Sequence, residues 1–403
     1  MSKLNVKKRL ILHEIIITLS SEGEIDQSRF LTLLFKWKEL SYQNASELSL
    51  IENMIEMLVE VHVYGIRGKE FKSNFENLES FESWQAFNNY MLYEDIVRLL
   101  IASGLIFEAF KIWKVIQIKS VKFHKSEFLI HNRIRSIRSN IFLGNLELAE
   151  SLTNNLNLAV VQKIPKVKVF LNEVNNFLNL TSLPVRNKSF AKTDPWSEFM
   201  TDKQILLLGP APISKILEKN KYKSYLVARP LSPKSLMIDS AEQVLNGRVD
   251  LPYVDASILD KSRDLLKHYN FTSLNQESKS KLKEDNFRVA KNPNLLFNSG
   301  GAYTGLTMIY DLLISPISKL EVYGVSSFLS EQVYRKDYNS QDPEGRFRNH
   351  NHFAAHNIFE NFSIMKNLSD PRLFFGEEEL FIKNLSLEEY AQKMDDLYSP
   401  NEK

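Results

Sequence analysis

The sequence predicts an α/β sheet domain in the second half of the chain, preceded by an all-α half. Three observations carry this reading. Up to about residue 180, apolar residues recur at three- and four-residue steps, as in Ile51-Glu52-Asn53-Met54-Ile55-Glu56-Met57-Leu58-Val59, which is the spacing of a buried helix face. No proline occurs before Pro165, so nothing in that stretch breaks a helix. Beyond residue 200, short apolar runs ended by Gly or Pro alternate with helical patterns, as in an open sheet with crossover helices.

The helical part, residues 1–182, carries one internal echo. Gly104-Leu105-Ile106-Phe107-Glu108-Ala109 is matched forty residues on by Gly144-Asn145-Leu146-Glu147-Leu148-Ala149. In each copy glycine ends one helix and the small alanine lets the next pack closely, in the manner of tetratricopeptide-type hairpins. Such a layer suits packing or partner contact. Composition then shifts to Pro, Asn, Lys and Ser, which places a linker at residues 183–200 and the sheet domain at 201–403. Expected strands are Ile205-Leu206-Leu207-Leu208, ended by Gly209-Pro210-Ala211-Pro212, and Tyr225-Leu226-Val227-Ala228, ended by Arg229-Pro230. Two more are expected at Leu295-Leu296-Phe297 and Leu320-Glu321-Val322-Tyr323-Gly324, with a helix over 304–314 between them. Ligands of such sheets sit outside the carboxyl ends of the strands. That edge would gather Gly209, Arg229, Ser299 with Gly300, and Tyr323 with Gly324.

A chain of 403 residues can bury more than one core, and 43% hydrophobic with 25% charged residues is ordinary globular composition. A net charge of +2 gives no bulk attraction to nucleic acid, and Lys7-Lys8-Arg9 reads as a solvated helix face or as contact with an acidic membrane surface. With no cysteine, disulfide, zinc-thiolate and thiol-nucleophile chemistry are excluded, and a reducing, cytoplasmic setting is expected. No signal peptide is visible, because Met1-Ser2-Lys3-Leu4-Asn5 runs straight into an amphipathic pattern, and no apolar run has the length of a bilayer span. Heavy use of Asn, Lys and Ile fits an AT-rich bacterial genome.

The most informative stretch is Asn298-Ser299-Gly300-Gly301-Ala302-Tyr303-Thr304-Gly305, small residues leading into an apolar helix. Glycines let the backbone approach a ligand, and a helix start presents N–H groups, so the turn suits a phosphate or carboxylate. A turn that only packs tightly has the same composition, and both readings stay open.

The order of motifs resembles the eukaryotic-type sialyltransferases. Ile205-Leu206-Leu207-Leu208-Gly209-Pro210 followed by Val227-Ala228-Arg229 is similar to their long motif, and Thr304-Gly305 with Leu320-Glu321-Val322-Tyr323-Gly324-Val325 to their short motif. His356-Asn357-Ile358-Phe359-Glu360 is similar to the very short motif. The likeness covers roughly residues 203–375. It implies a Rossmann-like glycosyltransferase fold and a CMP-activated sugar acid, sialic acid or Kdo, as donor, with no metal or other cofactor. It also implies site roles. Thr304, Gly305 and the turn Ser299, Gly300, Gly301 would hold the donor phosphate or carboxylate, Arg229 and Gly209 would lie by the nucleotide, and His356 would be the base. Pro210 and Leu231 stand where the family has asparagines, and Glu360 follows His356 by four residues rather than five.

Transfer from a CMP-sugar needs a base for the acceptor hydroxyl, stabilisation of the leaving phosphate, and a hold on the sugar carboxylate. Histidine suits the first near neutral pH. His356 is expected at a helix start, with Glu360 one turn on either holding the second ring nitrogen or capping the helix. Arg346-Phe347-Arg348-Asn349-His350-Asn351-His352 reads as a loop closing on the donor through Arg346, Arg348 or His352, or as a solvated loop. His350, His352 and His356 lack the carboxylate or cysteine that would complete a metal set, and there is no Asp-x-Asp motif. Asp395-Asp396 falls in a polar tail expected to be exposed. Trp196, Tyr334 and Phe353 are candidate sugar-stacking rings or packing residues.

The sequence therefore points to a bacterial CMP-sugar-dependent transferase acting on a surface glycan such as capsule or lipooligosaccharide. The acceptor can be lipid-linked, with the N-terminal helices docking at the inner-membrane surface or on a partner enzyme. The alternative is a non-catalytic helical interaction protein with a degenerate nucleotide-binding fold, which the two missing asparagines favour.

Overall fold

The computed structural model describes residues 3–19, 26–41, 45–62, 87–122, 130–159, 164–181, 194–213, 217–231, 244–255, 264, 266–274, 286–330 and 349–398. The chain forms two compact units. One comprises Met1–Asn145, Gly345–Phe359 and Leu387–Lys403, and the other Leu146–Glu344 and Glu360–Ser386.

The described elements of the first unit are helices: α1 (Lys3–Leu19), α2 (Gln27–Ser41), α3 (Ala45–His62), α4 (Phe87–Ala102), α5 (Ile106–Val121), α6 (Ile130–Phe142), α11 (Asn349–His356) and α14 (Leu387–Tyr398). α5 lies against α4, α6 and α14. Its interior is aromatic: the Phe359 ring meets Phe110 at 5.6 Å and Trp113 at 5.7 Å, and Trp113 meets Phe142 at 6.3 Å. Leu105, at the N-cap of α5, has no side-chain acceptor for the orphan N–H groups. Asp395 of α14 supplies it, accepting the N–H of Ile106 and of Phe107 at 3.1 Å each. Asp395 is thus a cap borrowed from a distant helix rather than an exposed tail residue. Lys8 is paired with Asp95 at 2.8 Å, so it is not wholly a free basic surface.

The forty-residue echo has a geometric counterpart. Gly104 and Gly144 end α4 and α6 at φ +76° and +77°, a backbone that only glycine adopts without strain. In both turns the next N–H reaches back five residues, Leu105 to Leu100 at 2.9 Å and Asn145 to Asn140 at 2.8 Å.

The second unit contains a seven-stranded sheet: β1 (Gln204–Leu208), β2 (Leu226–Leu231), β3 (Leu251–Val254), β4 (Thr272–Leu274), β5 (Phe287–Val289), β6 (Lys319–Tyr323) and β7 (Leu373–Phe375). The spatial order is β5-β4-β3-β2-β1-β6-β7, and every pair is parallel. Helices α7 (Leu146–Ala159), α8 (Pro165–Leu178), α9 (Pro195–Met200), α10 (Thr304–Leu313) and α13 (Glu377–Asn384) belong to this unit, and the unit boundary falls inside α12 (Ile358–Asn367). The protein is α/β with a parallel sheet.

The units do not follow the expected division at 183–200. α7 and α8 group with the sheet, and α11 and α14 with the N-terminal helices. Of the expected linker, residues 183–193 lie outside the described residues, and the rest is α9, started by Asp194 accepting the N–H of Ser197 at 2.8 Å with Pro195 in the first turn.

Two strand assignments also need correction. Leu295-Leu296-Phe297 is not a strand: Asn294–Leu296 is a single 3-10 turn that follows Pro293, while β5 lies earlier. The fixed φ of proline and the turn habit of Asn292 and Asn294 outweigh the apolar run. β2, expected to end at Arg229-Pro230, continues to Leu231. Its pairing to β1 stops at Ala228, so Pro230 lacks an N–H only where β3 alone is its neighbour.

One face of the sheet is fastened by a buried ion pair. Tyr253, Ser273 and Arg288 are lateral neighbours on β3, β4 and β5. All three converge on Asp311 of α10, which is 0% exposed: Arg288 donates to both its oxygens at 2.6 and 2.7 Å, and Tyr253 to Oδ2 at 2.7 Å. Ser273 meets Asp311 through Arg288, whose guanidinium it accepts at 2.9 Å. The opposite face gathers Glu321 of β6, which accepts from Tyr225 at 2.9 Å, Tyr222 at 3.1 Å and Lys319 at 2.7 Å.

Candidate functional site

The connections from β1 and to β6 run to opposite sides of the sheet. After β1 the chain builds β2 to β5 outward, then returns through α10 to place β6 on β1's other flank. This is a topological switch point, where a crevice opens at the carboxyl ends of the strands. Three glycine-bearing segments meet there. The N–H of Gly209 donates to Tyr323 O at 2.7 Å, and that of Ala211 to Gly324 O at 2.9 Å. A Cβ on Gly209 would overlap the carbonyl oxygen of Gly324, and Val325 stands 2.6 Å from the same point. The other methyl of Val325 lies 2.9 Å from where a Cβ on Gly305 would be. Gly209 and Gly305 therefore face one valine between them.

The turn before α10 is held from α12. Glu360 Oε2 accepts the N–H of Asn298 at 3.0 Å and, more weakly, that of Ser299 at 3.5 Å. The next residue, Asn361, accepts from Tyr303 N at 3.0 Å and donates to Gly301 O at 3.1 Å. Asn294 Oδ1 takes the N–H of Ala302 at 2.8 Å. Gly300, at φ +76°, forms the exposed apex. α10 then begins at Thr304, and its N-cap residue Tyr303 contributes no side-chain bond to the first turn, because its buried hydroxyl lies 3.0 Å from Ser327 Oγ. Burial raises the Tyr303 hydroxyl well above its ordinary range. Both polar atoms of the Asn298 amide are buried, and among the described residues neither has a hydrogen-bond partner.

A second carboxylate sits at the end of β6. Glu379 of α13 accepts the N–H of Gly324 at 2.5 Å and of Val325 at 3.3 Å. Burial pushes its carboxyl up, opposed by the backbone N–H groups it accepts. Glu360 and Glu379 thus each fill a pair of N–H groups that a loop-bound anion would otherwise take.

The other expected residues divide between the units. Arg229 is on β2, 3% exposed, in register with Pro252, inside the strand rather than at its end. The Tyr323 hydroxyl is 3.2 Å from that of Tyr222, in the Glu321 cluster. His350, His352 and His356 lie on α11 in the first unit. His356 is the last residue of that helix, not the first of the next, and Asn357 at φ +43° separates it from α12. It stands at the negative end of a helix dipole, the reverse of the expected placement. The ring of His352 stacks on it, 6.4 Å between centroids. His350 is buried, its Nε2 3.0 Å from Tyr398 O, and burial pushes its ring down to about 4. Desolvation by the surrounding protein also lowers His352, although part of its side chain faces solvent. Glu360, expected either to hold the second ring nitrogen of His356 or to cap the helix, accepts from the turn at Asn298.

The stacking candidates are used in packing. The Arg288 guanidinium lies 3.9 Å over the Trp196 ring, whose Nε1 donates to Ser315 at 2.9 Å, and Phe353 is buried against Tyr398 at 4.8 Å. Tyr334, Arg346 and Arg348 lie outside the described residues.

Comparison with protein-family models, with curated proteins and with solved structures finds no match to this chain. Its site is read from geometry.

Sequence reasoning missed Asn361, Glu379 and Asp311. The signal for Asn361 was available, since an adjacent acceptor pair, Glu360-Asn361, opens an apolar helix. Glu379 lies within Glu377-Glu378-Glu379, which reads as helix-start charge, and nothing local distinguishes the one that turns inward.

Proposed function

We propose that the protein is a sialyltransferase-like glycosyltransferase that moves a sugar acid, sialic acid or Kdo, from its CMP ester to a bacterial surface glycan. One observation carries the reading. Gly209 of the long-motif-like segment and Gly305 of the short-motif-like segment, ninety-six residues apart in sequence (305 − 209), both close on Val325 at the switch point. That arrangement brings the first turn of α10 to the carboxyl ends of β1 and β6, where nucleotides bind in open parallel sheets.

In this reading the donor phosphate or sugar carboxylate meets the N–H groups of Thr304 to Leu306 and the exposed apex at Gly300. Arg229 adds a positive field from within the sheet. Glu360 and Asn361 act as positioning residues that hold the turn open at a fixed width. The resemblance gives His356 the role of base, taking the proton of the acceptor hydroxyl as the glycosyl bond to phosphate breaks and CMP leaves. No metal enters the reading. The test is CMP release from CMP-sialic acid and CMP-Kdo by wild type, Thr304→Ala and His356→Ala. Loss in both variants is expected; full turnover in His356→Ala removes its role, and no release from either donor by wild type removes the reading.

A second reading has its own observation. The N–H pairs at Asn298–Ser299 and Gly324–Val325 are already filled by Glu360 and Glu379, as in a nucleotide fold that no longer binds nucleotide. The protein would then act through its helices. A thermal-shift panel of CMP, UDP, GDP and NAD separates the two: a shift with CMP supports the transferase, and none with any supports the interaction protein.

A further inference from the structure

The segments that lead into β2 and β3 enclose a cavity of about 430 Å³, lined by Lys219, Asn220, Tyr222, Lys223, Leu245 and Arg248. Both segments precede their strands, so the cavity lies at the amino edge of the sheet, opposite the switch-point crevice. Its size is that of a small-molecule site.

The cavity is held in shape by Arg248. Its guanidinium donates to Tyr222 O at 3.1 Å, Lys223 O at 3.4 Å and Tyr225 O at 2.7 Å, and pairs with Asp250 at 2.9 Å. These bonds tie one wall to the other. Leu245 stands at φ +53°, a left-handed conformation that strains any residue with a branched side chain. The N–H of Arg248 closes that turn on Leu245 O at 3.3 Å, and the Leu245 side chain packs against the cluster of Leu206, Leu208, Tyr222, Tyr225 and Val227. The floor is therefore apolar and fixed.

The charge is uneven. Lys219 and Lys223 are exposed, and among the described residues neither ammonium has an ion-pair or hydrogen-bond partner. Lys221 between them is drawn instead to Glu321 at 3.7 Å, and Asp250 is taken by Arg248 at 2.9 Å. Two unpaired cations beside an apolar floor call for a doubly charged group on an apolar body.

We propose that this cavity binds a small organic phosphate, its phosphate between Lys219 and Lys223 and its body on Leu245 and Tyr222. The proposal is independent of the donor site. The test is calorimetric titration of the full chain with phenyl phosphate and with inorganic phosphate, for wild type, the double variant Lys219→Gln/Lys223→Gln, and Lys166→Gln as an exposed control on α8. Wild type and control bind phenyl phosphate more tightly than inorganic phosphate. The double variant binds it about tenfold more weakly, the sum of two exposed ion pairs, with CMP affinity unchanged. Absence of phenyl phosphate binding by wild type, or equal affinity in the double variant, overturns the site. Equal affinity for the two phosphates overturns the role of the apolar floor.

Discussion

Glu360 accepts the backbone N–H of Asn298 at 3.0 Å, so the turn that most invites an outside anion already holds a carboxyl group of this chain. This bond decides how the turn works. An anion arriving at α10 meets a rim whose first two N–H groups are occupied, and it must bind further along, at Gly300 and the first turn of the helix.

Removing that carboxylate leaves a buried N–H without an acceptor. Glu360→Ala is expected to cost roughly 1–3 kcal/mol, read as a shift of the denaturant midpoint at unchanged slope. Glu360→Gln keeps an acceptor and is expected to lose less. Equal losses in the two variants would mean that Glu360 acts through bulk rather than through this bond.

The glycines at the switch point rank by the space around them. In Gly209→Ala the new methyl overlaps the Gly324 carbonyl, which is backbone and cannot swing aside. In Gly305→Ala it meets the Tyr303 ring and Val325 at 2.9 Å each, side chains that can move by tenths of an ångström. Overpacking costs about 1–3 kcal/mol, and Gly209→Ala is expected at or above the top of that range, Gly305→Ala near the bottom. Thermal unfolding of the two variants checks the order.

Asp311 is buried with Arg288, Tyr253 and the N–H of Lys291 as donors. Asp311→Asn leaves the Arg288 charge uncompensated and is expected to cost about 3–5 kcal/mol. Asp311→Asn with Arg288→Met removes both charges and is expected to recover part of the loss. A double-mutant cycle in urea gives the coupling.

Two groups give the units opposite pH dependence. Burial pushes the Glu173 carboxyl of α8 from 4.5 up to about 7, with the Tyr310 hydroxyl and Lys291 opposing. Between those values the folded state holds a proton that the unfolded state has lost, so stability falls as pH rises through the window. Glu173→Gln is expected to flatten that fall, worth on the order of 1–3 kcal/mol by pH 8. His350, held neutral by burial, does the reverse: below 6.5 the unfolded chain takes up the proton first, and stability is lost as pH falls toward about 4. Urea midpoints of wild type and Glu173→Gln from pH 4 to 8 separate the two slopes.

The elements legible in the sequence were those with long or clean patterns. The apolar run Ile205–Leu208, the strand at Leu320–Tyr323 and the helix from Thr304 stand within a residue or so of where their patterns put them. β3, β4, β5 and β7 have only three or four residues, too few for a period to show, and β3 carries Pro252 in its interior. The glycines of the site were legible as close-approach positions, but what approaches Gly209 is another strand end. The turn at 298–301 read equally as an anion site and as a turn that only packs tightly. That Glu360 fills part of it depends on a helix sixty residues later, which no local pattern encodes. For the same reason, grouping of α11 and α14 with the first helices, and of α7 and α8 with the sheet, could not be read from a composition shift near 183–200.

The central claim is that the first turn of α10 receives the phosphate-bearing end of a CMP ester. Backbone hydrogen exchange of residues 300–306, with and without CMP, measures this most directly. The account expects CMP to slow exchange there, with Thr304→Ala weakening the effect and UDP producing little. Unchanged exchange across that segment at saturating CMP, or equal slowing by UDP, would contradict it.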